Sequence, residues 1–196
     1  AGYPRRPIED ASDPKPKPPQ PGSVGVPEWV AEELRPYYRG VAENLCHSMN
    51  LMRHLLGEPA KVDAVALRPH MLIYCPPMIA LLDYGDFDAA LESGAIDSDT
   101  WDEGARVNFE KGWIELRIAA PLMRAPSQVI LRQKGKGAMQ PAVEYGWAFE
   151  REAAHFIQIA ANGGEPRSSG ADSARDLAML EAIFRCAQNK TSVALE

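Results

Sequence analysis

Glu43, His47, Asn50 and His54 stand at i, i+4, i+7 and i+11 of one segment. At ~100° per residue these four positions fall within a narrow stripe of an α-helix. The residue types suit proton transfer. An imidazole titrates near neutral pH, an acid beside it can orient it, and a carboxamide can pair with hydroxyl groups. A solvated polar helix face uses the same types at the same spacing, so spacing alone does not separate the two readings. A Glu43–His47 metal pair lacks a third ligand, and no metal is expected. His70 and His155 are solitary. His155 lies between Ala154 and Phe156 and reads as a structural histidine.

Other chemistries are missing. The 15 glycines never form GxGxxG or GxxxxGK[ST], and Gly135-Lys136-Gly137 runs on into Ala138-Met139-Gln140. No phosphate cradle for a dinucleotide is therefore expected, and no cofactor-binding residue is assigned. Neither GxSxG nor HExxH occurs. Asp97-Ser98-Asp99 begins like a calcium loop, but Trp101 and Asp102 fall where an acid or amide and then Gly are required. Residues 83–103, which are acidic and contain no Lys or Arg, read as a solvated loop.

The elements that position the stripe follow from periodicity. Leu45, Met49, Met52 and Leu56 form an apolar stripe opposite the polar one, predicting a helix over about 41–56. Gly57 is suited to end it, and Pro59 blocks continuation. A shorter helix is expected within 28–39, stopped near Pro36. Val62–Leu67, Met71–Tyr74, Met78–Leu82, Arg106–Phe109, Trp113–Ile118 and Val129–Gln133 read as strands. Glu110-Lys111-Gly112 marks a hairpin, with Gly112 supplying positive φ. Two helices close the chain. The first ends at Asn162-Gly163-Gly164, and the second is capped at Ser169 with Asp172 three residues on. Trp147, Phe149, Phe156, Ile157 and Phe184 read as helix core rather than a cofactor box. The expected class is α+β: a predominantly antiparallel or mixed open sheet, with helices on one face.

The net charge of −6 over 196 residues argues against a nucleic-acid surface. No apolar run reaches the ~18 residues of a membrane span. Cys46, Cys75 and Cys186 are an odd, widely spaced set, so reduced thiols and a cytoplasmic location are expected. Residues 1–36 hold nine of the 17 prolines and read as an extended arm or linker, leaving 37–196 as one domain.

Glu43-Asn44-Leu45-Cys46-His47-Ser48-Met49-Asn50-Leu51-Met52-Arg53-His54-Leu55-Leu56-Gly57-Glu58-Pro59 resembles the segment that opens the C-terminal domain of the Gfo/Idh/MocA oxidoreductases. The hairpin around Phe109-Glu110-Lys111-Gly112-Trp113 is similar to their central one. The run from Glu152 through His155-Phe156, Asn162-Gly163-Gly164-Glu165-Pro166, Ser169-Gly170 and Asp172 to Glu181-Ala182-Ile183-Phe184 is similar to their last two helices. The similarity covers about residues 41–190.

The resemblance implies the substrate-binding and oligomerisation domain of an NAD(P)-dependent enzyme. Such an enzyme oxidises or reduces a sugar or cyclitol hydroxyl carbon by hydride transfer. It implies His47 as the catalytic proton carrier and Asn50 as a substrate-binding residue. Glu43 stands where many members have Asp and is the second substrate-binding candidate. The family's N-terminal Rossmann domain, with its Glu-Lys-Pro lysine, has no counterpart in this chain. Alone, the chain is expected neither to hold NAD or NADP nor to turn over. Homo-oligomers through the open sheet face are expected. The competing reading is a non-catalytic assembly subunit built on the same domain.

Overall fold

A computed structural model of the chain describes residues 25–68, 75–94 and 101–195. Most of the expected arm, His70, the strand expected over 71–74 and Asp97-Ser98-Asp99 lie outside the described residues. The part of the arm that is described packs on the domain. Val30 is buried, and Gln188 bridges to this segment, accepting from the Ala31 N–H at 2.9 Å and donating to the Trp29 carbonyl.

One nearly continuous helical rod follows. A 3-10 turn (Glu32–Leu34) leads into α1 (Arg35–Gly40), a π turn (Val41–Leu45) and α2 (Cys46–Leu56). Pro36 opens α1 within this rod rather than stopping a helix. It sits in the first turn of α1, where a backbone N–H has no intrahelical partner to lose. Gly57 ends α2 at φ 88°, as its place in the sequence suggests.

The class is α+β, but the strands form two antiparallel sheets rather than one. The first has the order β3-β2-β1-β8: Asp88–Ser93, Met78–Asp83, Lys61–Leu67 and Val193–Ala194. The second has the order β4-β5-β6-β7: Glu103–Phe109, Gly112–Ile118, Gln128–Gln133 and Gly137–Met139. No described ladder joins β3 to β4. β3 corrects the reading of 83–103 as wholly loop. It is an edge strand that buries Leu91 and gives its acids to solvent. Gly112 does open the hairpin, yet not through positive φ. A Cβ there would overlap the Arg132 carbonyl of the neighbouring strand.

The core lies on the first sheet. Val62, Met78, Ala80 and Leu82 face Met179, Ile183 and Phe184 of α4 (Gly170–Asn189), with Tyr38, Val41, Leu45 and Met49 of the rod packed beside them. The rings of Tyr38 and Phe184 meet edge to face at 5.0 Å. The second sheet and α3 (Ala148–Asn162) bury no residue completely. Phe184 is core as expected. Phe149, Phe156 and Ile157 are not: they are 43%, 73% and 64% exposed, because nothing among the described residues covers that face of α3.

Arg53 fastens α2 to α4. Its side chain is 3% exposed. Each of its five N–H groups has a partner: two bonds of 2.7 Å to the Glu58 carboxylate, one to Asp172 Oδ1, one to the Asp172 carbonyl and one to Asp176 Oδ1. Arg175 closes the network on Asp172 and Glu58. The hydrogen bond from Arg53 holds the Glu58 carboxyl below its ordinary range. Asn50 first, and then Arg53, do the same for Asp172.

Arg53→Met strands the Asp176 carboxylate, which is 8% exposed. Leaving half of a buried pair costs about 3–5 kcal/mol, and urea unfolding should show that loss. Arg53→Met/Asp176→Leu should recover most of it. Carboxyls lowered in the folded state stabilise above their unfolded pKa values and lose that contribution as pH falls through the folded ones. Wild-type stability should therefore fall steeply below about pH 4. The double variant should show a shallower acid limb. Equal acid limbs would mean that the network contributes nothing.

Candidate functional site

The rod and α4 enclose an open cleft of about 410 Å³. Cys46, His47 and Asn50 line it from α2, Ser173 and Asp176 from α4, and Ser168 from the preceding loop. His47 and Asn50 are one helical turn apart. His47 is exposed and Asn50 is half-buried. The helix is rigid at this point because its opposite side is core, through Leu45 and Met49. Burial pushes the Cys46 thiol above its ordinary pKa, which disfavours the nucleophilic thiolate.

Asn50 does more than face solvent. Its Nδ2 donates to Asp172 Oδ2 at 2.8 Å and to Asp176 Oδ2 at 3.0 Å. The stripe read from spacing is thus divided. Asn50 belongs to the polar seam between α2 and α4, and His47 sits at the seam's open edge. Glu43 is exposed and does not line the cleft. It lies in the π turn, whose i→i+5 winding takes up roughly one residue more per turn and breaks the 100° arithmetic used to align it with His47. His54 is exposed in the last turn of α2 and is likewise not part of the cleft.

His155 has a structural role. Its Nε2 accepts from the Arg167 backbone N–H at 3.2 Å and steadies the loop that leads to Ser168. Ser169 caps α4, its hydroxyl accepting from the Asp172 N–H at 3.2 Å. Arg53, Asp172 and Asp176 were not singled out as site residues. The usable signal was the i, i+4 spacing of Asp172 and Asp176 on one helix, together with an arginine beside an apolar stripe.

Among the described residues no three His, Cys, Asp or Glu side chains converge as metal ligands. The described residues do not form a dinucleotide cradle. Every described strand pair is antiparallel, and α4 follows a helix instead of a strand, with its Asp172 and Ser173 N–H groups engaged by Ser169. No described helix is long and apolar enough to cross a membrane.

No protein-family model and no curated protein matches the sequence. The likeness to solved structures lies in the fold. The chain is similar to a proposed NADPH-dependent oxidoreductase from Desulfitobacterium hafniense, with TM-score 0.65 and 17% identity, over 81% of this chain and 48% of that one. It is also similar to aldose–aldose oxidoreductase from Caulobacter crescentus, solved with glycerol: TM-score 0.60, 24% identity, 76% of this chain and 45% of that one. A third is a proposed myo-inositol dehydrogenase from Sinorhizobium meliloti: TM-score 0.58, 20% identity, 82% of this chain and 52% of that one. The chain spans about half the length of each of these proteins. At such identities the likeness establishes the architecture: this α+β fold is one that oxidoreductases use for roughly half of their chain.

Proposed function

We propose that the chain is the substrate-binding and oligomerisation domain of a Gfo/Idh/MocA-type oxidoreductase acting on a sugar or cyclitol hydroxyl. The observation that carries this reading is His47, exposed on a rigid helix at the mouth of a cleft it shares with Asn50 and Asp176. Support comes from the family pattern around residues 43–59 and from the fold shared with an aldose–aldose oxidoreductase and a proposed myo-inositol dehydrogenase.

In this reading His47 takes the proton of the reacting hydroxyl during oxidation and returns it during reduction. Asn50 pairs with a neighbouring hydroxyl. The structure gives Glu43 no place in the cleft, so its part in substrate binding rests on the resemblance alone. NAD or NADP would be held by a separate nucleotide-binding domain, and the hydride would pass there. The chain's own contribution is the proton and the substrate wall.

In the longer enzyme carrying this domain, His47→Ala should lower kcat about 10²–10⁴-fold with the fold retained. His54→Ala should do far less, since it sits ~10 Å further along the helix. Equal effects, or none from His47, would overturn the assignment and favour the assembly-subunit reading. Calorimetric titration of residues 1–196 with NADPH should show no micromolar binding, and micromolar heats would overturn that expectation.

Phe109, Ile114 and Met139 share one face of the second sheet by register and are exposed, as are Phe156 and Ile157 on α3. We assign the sheet face to self-association. Sedimentation at micromolar concentration should show a dimer or tetramer, and Ile114→Glu should shift it toward monomer. A wild-type monomer would count against the assignment.

A further inference from the structure

The Asn50 side chain has two N–H groups and one carbonyl oxygen, and the structure determines which way round they lie. Asp172 and Asp176 approach the amide at 2.8 and 3.0 Å. Both carboxylates also bond Arg53. An ionised carboxylate only accepts, so the amide atom facing the pair is nitrogen, and both of its N–H groups are consumed there. No described residue donates to Oδ1. The only hydrogen-bonding capacity Asn50 brings to the cleft is therefore that of an acceptor.

We propose that Asp172 and Asp176 are positioning residues of the cleft: they hold Asn50 so that an incoming ligand meets its Oδ1, and the site at that point admits a hydroxyl donor and turns away a carboxylate or ketone. The ligand class is a neutral polyol. This rests on the functional reading above and makes it more specific. A ligand carboxylate would face Oδ1 with no donor from Asn50, and the buried Asp176 carboxylate lies on the same wall. Arg53 reinforces the arrangement from behind, bonding an oxygen of each aspartate and so fixing the carboxylate edges that meet Asn50. Serine hydroxyls at Ser168 and Ser173 can turn either way. Asn50 cannot, which makes it the discriminating group.

The test uses ¹⁵N-labelled residues 1–196, with myo-inositol, D-glucose and D-glucuronate as probes. The Asn50 side-chain signals are assigned by their loss in Asn50→Ser. In the wild type both amide protons should exchange with water at least about tenfold more slowly than those of the exposed Asn162 and Asn189. Asp172→Asn, at the more exposed carboxylate, supplies a partner that can donate. It should speed that exchange and weaken myo-inositol binding about threefold to tenfold. Asp176→Asn is the second variant, should the first fail to fold. Glucuronate should bind more weakly than glucose. Unprotected Asn50 protons in the wild type would overturn the proposal whatever the domain binds. Protected protons with equal binding of glucose and glucuronate, or with binding untouched by Asp172→Asn, would overturn it and leave the polyol reading standing. Protected protons with no binding of any probe at millimolar concentration would overturn both.

Discussion

A single buried cation organises this domain. Arg53 enters a region that is otherwise helix packed on helix, and it remains charged there because every N–H it carries is taken by an acid or a carbonyl. Replacing such a group by an apolar one of the same shape can be neutral for stability, so its value lies elsewhere. A guanidinium has a fixed fork of donors and requires its acceptors at defined places. Those places are on α4 and on the turn after α2. The rod and α4 can therefore meet in one register only, and that register opens a cleft beside His47.

The domain is unevenly finished. Around the first sheet the core is closed, with Phe184 and Ile183 fully enclosed. Around the second sheet no side chain is completely buried. Its link to α2 includes the bond from Ser48 Oγ to Glu103 Oε1 at 3.2 Å. By register, Val107, Ile114, Leu131 and Met139 share one face of that sheet.

Much of this was legible in the sequence where a local rule acts alone. Gly57 ends α2, Ser169 caps α4, and the turn at Glu110-Lys111 joins two strands, because each depends on neighbours in the chain. Illegible features depend on distant partners. The role of Arg53 depends on Asp172 and Asp176, more than a hundred residues on, which no local pattern connects to it. For the same reason, spacing could not say whether Asn50 faced solvent or a partner. β3 escaped notice because an edge strand needs only one buried side chain, and its acids concealed the alternation. Phe156 and Ile157 misled in the opposite sense. Their period is that of a buried helix face, and periodicity does not tell which molecule supplies the cover.

The π turn at Val41–Leu45 has a consequence for the geometry of the whole rod. A straight α-helix locks the azimuth of every residue to that of every other. Tyr38 must point at Phe184, and Arg53 must point at the acids of α4, while His47 must stay clear of both. The wider turn acts as a phase shifter between two halves of a shaft. It lets the N-terminal half be clocked by aromatic packing and the C-terminal half by charge, each without dragging the other out of alignment. Removing one residue from it would leave both contact sets chemically intact and rotated past their partners.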